Sequence, residues 1–162
     1  YQGQLAAAET YLAESLELYG QVNDRTGISF TQITLAHVKV QQAELAAAQR
    51  LLVEALYSNQ EFSHLNGLSS GFVVGMRLLS QTQQPQQAAQ LAGRVQHLRQ
   101  AMGAPLAHYD QLTFNTLEAQ LQQTLGAAAW EEQTQLGHAL SDEAAIALLE
   151  QAAIEQPVAP VA

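Results

Sequence analysis

The side chains of this chain that could do acid–base, metal or nucleophile chemistry are few and poorly grouped. Its five histidines are His37, His64, His97, His108 and His138. None has a second histidine four residues on, the spacing that puts two imidazoles on one helix face to hold a metal. They read as surface or packing residues. His108 and Asp110 stand two apart beside Tyr109, and on a helix such residues point to different sides. Glu131-Glu132 and Asp142-Glu143 are adjacent carboxylates, suited to general acid and base by type alone. Asp142-Glu143 follows Ser141, so it reads as the acidic first turn of a capped helix. Trp130 could stack on a ligand, but near the end of the chain it reads as a core anchor. There is no cysteine, hence no thiolate nucleophile, thiolate zinc site or disulfide. A glycine-rich phosphate loop and a basic recognition helix are also missing. The expectation is a chain that is not an enzyme, with no catalytic residue, no cofactor and no metal.

Composition says what kind of scaffold carries these residues. The chain has 162 residues, 48% of them hydrophobic, enough for one domain with a sizeable core. Only 10 glycines and 4 prolines interrupt a sequence rich in Ala, Leu and Gln, which are good or tolerable helix formers, so the fold class is all-α. The net charge of −9 opposes the field of a nucleic acid, and direct nucleic-acid binding is not expected. That charge is uneven: no acidic residue falls between Glu61 and Asp110, whereas Arg77, Arg94 and Arg99 all do. This basic island reads as a solvated face. No apolar run approaches the roughly 20 residues of a membrane span. Nor does the N-terminus carry a secretory signal, so the expected location is cytoplasmic, away from membranes.

Internal repetition organises the chain. Gln2-Gly3-Gln4-Leu5-Ala6-Ala7-Ala8-Glu9 recurs forty positions on as Gln42-Ala43-Glu44-Leu45-Ala46-Ala47-Ala48-Gln49. Further steps of forty reach Gln83-Gln84-Pro85-Gln86-Gln87-Ala88 and Gln123-Thr124-Leu125-Gly126-Ala127-Ala128, keeping Ala8, Ala48, Ala88 and Ala128 in phase. A small residue held at one phase is what closely crossing helices require. Leu5, Ala8, Leu12, Ala13 and Leu16 form a helical stripe that Leu45, Ala48, Leu52, Ala55 and Leu56 repeat. These are the second helices of hairpins. The first helices are Ile28 to Gln41 and about Leu65 to Gln81. Asn23 or Asp24 can cap the former, and Gly20 is expected to end the helix before it in a left-handed conformation. Pro85 suits a first helical position. Gly71 and Gly75 read as close packing between helices.

The pattern of Leu35-Ala36, Ala43 in place of the usual turn glycine, then Ala48, Leu52 and Ala55-Leu56, resembles a tetratricopeptide (TPR) unit, whose basic repeat is 34 residues. In the first unit Gly3, Ala8 and Leu12 supply its second half. The resemblance implies an α-α superhelix, a TPR-like solenoid of about four hairpins. Its units are 3–42, 43–82, 83–122 and a degenerate closing unit 123–155, together a domain over 1–155, with 156–162 a Pro/Ala-rich linker or tail. The stretch from Gln96 through Met102-Gly103-Ala104-Pro105, with Leu125-Gly126, Trp130 and Gly137-His138-Ala139-Leu140-Ser141-Asp142, resembles the end of the helical-repeat region of LuxR-type and signal-transduction ATPase regulators. That likeness implies a sensor or autoinhibitory module excised from a larger transcriptional regulator. In TPR arrays the first helices line a concave groove, and the matching positions here are Ile33, His37, Val73 and Arg77. The chaperone-tail carboxylate clamp is absent from them, and the implied occupant is an acidic or amphipathic segment of a partner protein or of another domain of the same polypeptide. The stripe of the first helix is expected to be partly uncovered, favouring a homodimer through the N-terminal helix.

Overall fold

In a computed structural model that describes residues 2–154, the chain is all-α, with no strand among the described residues. The stretch 156–162 lies outside them. The helices are α1 Gln2–Gln21, α2 Arg25–Gln41, α3 Leu45–Glu61, α4 Leu65–Gln81, α5 Pro85–Met102, α6 His108–Leu125, α7 Ala127–Ala139 and α8 Asp142–Glu150. Helices α2, α4 and α6 form one layer, α1, α3 and α5 flank it, and the chain then turns back, with α7 lying on α5 and α8 folded between α3 and α5.

The first four helix junctions share one backbone solution. Asn23, Ala43, Ser63 and Gln83 all take left-handed φ, between 54° and 61°, at intervals of twenty residues. In each, that residue's N–H bonds back three residues and the next N–H bonds back five: Asn23 to Gly20 and Asp24 to Tyr19, then Ala43 to Val40 and Glu44 to Lys39. This is a Schellman ending whose last residue is already the N-cap of the following helix. Asp24 caps α2 by accepting the Gly27 N–H. Gly20, expected in the left-handed role, lies inside α1, and Asn23 takes that role instead. Ala43 does occupy the place of a turn glycine. Left-handed φ costs a residue with a Cβ about 1–2 kcal/mol, and glycine gives back roughly 0.5–1 kcal/mol in chain entropy. Ala43→Gly, Ser63→Gly and Gln83→Gly together should therefore raise stability by about 1.5 kcal/mol and the melting temperature by about 4 °C. Calorimetry checks this.

Helix α4 is central and apolar around most of its circumference, as a fully surrounded helix must be. Leu68, Phe72, Val73, Met76, Leu78 and Leu79 are each at most 1% exposed. Its small residues let neighbours approach: a Cβ on Gly71 would lie 2.6 Å from Leu56, and one on Gly75 about 3 Å from Leu91 and Leu149. The in-phase alanines divide. Ala48 and Ala88 are wholly buried, Ala8 is half-buried, and Ala128 is exposed. The last step of forty thus finds a different environment, because α7 and α8 turn back instead of extending the layers. Helix α7 lies on α5 at a crossing made by Gly93 and Gly137, where the backbones touch. Helix α8 sends Ile146 and Leu149 into the core, and the Gln49 amide donates to the Leu149 carbonyl at 2.6 Å. Ser141 caps α8 through the Ala144 N–H, and Pro85 opens α5, both as expected. Trp130 is buried on α7.

Candidate functional site

The first helices α2, α4 and α6 share a hollow of about 270 Å³ on their common face. Its wall is written in the forty-residue step. Phe30, Ser70 and Asp110 stand at one phase, Ile33, Val73 and Thr113 at another, and Thr34 and Val74 at a third. Equivalent positions on successive first helices converge because each hairpin presents the same face. Ala107 and Tyr109, at the start of α6, close one side.

Of the groove residues expected from sequence, Ile33, His37 and Val73 meet in this wall. Arg77 lies one turn further along α4, close enough to act on His37 but outside the wall. The expected residues are also deeper than a free groove requires. Val73 is 1% exposed, Ile33 5% and His37 9%, so they form the floor. What a partner would meet first is Phe30, 67% exposed, Tyr109, 57% exposed, and the half-buried Thr34, Ser70 and Asp110. The sequence reading missed Phe30, Tyr109 and Asp110, although carrying the repeat from Phe30 and Ser70 one step further lands on Asp110.

Polar contacts tie the α6 end of the hollow to the older walls. Tyr109 Oη lies 2.8 Å from His37 Nε2, and the two rings meet edge to face. The Gln41 amide nitrogen approaches the same Nε2 at 2.5 Å. In a neutral ring carrying its proton on Nδ1, the single lone pair of Nε2 is shared between these two donors. Ser70 Oγ donates to Asp110 Oδ2 at 2.5 Å. Burial first, and the Arg77 guanidinium second, hold the His37 pKa down to about 4. The imidazole is therefore neutral at physiological pH and adds no charge for an acidic ligand.

This depression has a signed consequence. The unfolded chain titrates His37 near 6.5 and the folded chain near 4, so between those values the unfolded state binds more protons. Stability is fully present above about pH 6.5 and is lost as pH falls through the window. The difference between pH 7.5 and pH 5 should be about 2 kcal/mol, and His37→Gln should remove most of it. Urea melts at the two pH values measure both slopes, and parallel loss in the two proteins would contradict the assignment.

The basic island dissolves on folding. Arg94 pairs with Asp142 at 2.8 Å, and Arg99 lies near Glu118 and opposes the burial that pushes that carboxyl's pKa up. The C-terminal turn-back brings Asp142, forty-eight residues away in sequence, to Arg94, and α6 brings Glu118 near Arg99. Arg77 keeps a buried Nε without a hydrogen-bond partner among the described residues. His97 and His138, unrelated in sequence, meet with ring centroids 4.6 Å apart. No group of three His, Cys, Asp or Glu positioned to hold a metal occurs among the described residues. Among the same residues no helix is long and apolar enough to cross a membrane. No family model, no curated protein and no solved structure matches this chain.

Proposed function

We propose that the chain is a protein-interaction module whose α2, α4 and α6 face holds a segment of a partner protein or of another domain of its own polypeptide. The observation that carries this reading is the hollow itself, built from repeat-equivalent positions of three first helices and walled mainly by apolar groups around a few polar ones. Its volume of about 270 Å³ falls below the roughly 300 Å³ at which small-molecule pockets begin. It suits an anchoring side chain better than a whole metabolite. The resemblance to LuxR-type and signal-transduction ATPase regulators supplies the context: a non-enzymatic, cytoplasmic sensor or autoinhibitory module of a transcriptional regulator that contacts protein, not nucleic acid. A phosphate loop or a helix-turn-helix encoded beside it would support that context, and their absence from the gene would remove it while leaving the docking face.

A second reading is self-association through α1. None of that helix's described side chains is buried, and Tyr11, Leu18 and Val22 are 62–72% exposed. Against it, α1 carries Glu14 and Glu17, both exposed, and no Lys or Arg, so two copies would juxtapose like charges. A photo-crosslinking residue placed at Thr34 separates the readings. It should join the chain to a defined second polypeptide segment, whereas the same residue at Arg50 on α3 should not. Crosslinks from Arg50 or from α1 alone would contradict the groove.

A further inference from the structure

Phe30 borders more than one hollow. On its other side lies a wider depression of about 550 Å³, walled by Asn59, His64, Gly67 and Met102 among others. An exposed phenylalanine between two depressions is a ridge that a bound chain must straddle, with one side chain on either side. Neither wall contains a Lys or Arg, and Asp110 lies in the smaller one. Arg25, the cation nearest the larger depression in sequence, is already paired with Glu61 at 3.4 Å and stacks over Phe62. Asp110 Oδ2 accepts from the Ser70 hydroxyl, and the carboxylate is half-buried, so it can still accept from a donor outside. The chain as a whole carries −9.

Resting on the docking face proposed above, we infer that its ligand is a cationic amphipathic segment, with two apolar anchors either side of Phe30 and a Lys or Arg that meets Asp110. Of the acidic or amphipathic segment expected from Arg77 and His37, this keeps the amphipathic alternative and sets aside the acidic one. The imidazole is neutral, and the guanidinium lies outside the wall.

The probes are three short synthetic amphipathic helices with the same apolar positions and with Lys, Gln or Glu at all polar positions. Amide shifts of the isotope-labelled chain at pH 7.5 and low salt report both site and affinity. The Lys peptide should perturb α2, α4 and the start of α6, and should bind about tenfold more tightly than the Glu peptide. Phe30→Ala should weaken it by about tenfold, and Asp110→Asn should erase most of the Lys preference. Arg77→Gln should strengthen it modestly, and Glu54→Gln on α3 should change nothing. Phe30 is mostly solvent-exposed, so its removal leaves the fold intact. Equal affinity for the Lys and Glu peptides, or binding at this face that ignores Phe30 and Asp110, overturns the ligand class but keeps the docking face. Perturbation confined to α1, α8 or the part of α3 around Arg50 and Glu54, or no binding by any probe, overturns both.

Discussion

Gly137→Ala should cost the fold about 3 kcal/mol, although the same change in an open helix interior gains up to about 1 kcal/mol. The sign turns on what a Cβ would meet. At Gly137 it would lie 1.8 Å from the Gln90 carbonyl oxygen and 2.7 Å from its Cα, and at Gly93 it would lie 2.0 Å from the Thr134 carbonyl oxygen. All of these are backbone atoms, which cannot rotate away, so α7 must lift from α5. Gly93→Ala should behave alike, and the double mutant should cost less than the sum, because one displacement relieves both clashes. Gly3 and Gly20 in α1 have nothing within 4 Å of a built Cβ, so Gly3→Ala and Gly20→Ala should stabilise by roughly 0.5–1 kcal/mol. Urea melts followed by circular dichroism measure all four. A Gly137→Ala protein as stable as its parent would mean that α7 does not cross α5 here.

Arg94→Ala should cost about 2–3 kcal/mol and should release the C-terminal helices α7 and α8 selectively. Arg94 donates from Nε to Asp142 Oδ1 at 2.9 Å and from Nη1 to the Leu140 carbonyl at 2.7 Å. The two charged side chains are only 11% and 19% exposed, which sets this pair above the usual surface ion pair. Truncation leaves Asp142 at the N-terminus of α8, where the Ser141 cap and the helix dipole still favour its charge. That keeps the cost below the 3–5 kcal/mol of a fully orphaned buried ion. Amide exchange should accelerate through α7 and α8 and stay unchanged in α2 and α4. A uniform change along the chain, or a loss under about 0.5 kcal/mol, would show that Arg94 does not hold those helices.

Local chemistry and the forty-residue step were legible in the sequence wherever they act within one unit. The Ser141 cap, the Pro85 start, the turn at Ala43 and the tight environment of Gly71 all depend on neighbours close in sequence or one hairpin away, whereas Gly75 reads as close packing although one of its neighbours, Leu149, comes from the distant α8. Gly20 misled because glycine is the default residue for left-handed backbone, while Asn23 also tolerates it and sits where the helix geometry demands it. The floor of the hollow was legible because Ile33, His37 and Val73 lie at matched positions on two first helices. Its rim was not. Nothing local to Phe30 sets it apart from the other apolar residues of α2, and Tyr109 and Asp110 matter only because α6 aligns with α2 and α4. The return of α7 onto α5 was illegible for a plainer reason: Gly93 and Gly137 each look like an ordinary small residue, and only their contact gives either a role. The turn back into α8 also explains why Arg94, one of the three arginines of the apparent basic island, finds an ion-pair partner in Asp142.

Side-chain footprinting by hydroxyl radicals tests the docking face most directly, using the chain with and without the polypeptide that crosslinks to Thr34. Phe30 and Tyr109 on the groove are 67% and 57% exposed, while Tyr11 on α1 and Tyr57 on α3 are 69% and 39% exposed, so all four report in the free chain. The proposed function predicts that the bound polypeptide protects Phe30 and Tyr109 and leaves Tyr11 and Tyr57 oxidising as before. Protection of Tyr11 or Tyr57 with Phe30 and Tyr109 unchanged would contradict it.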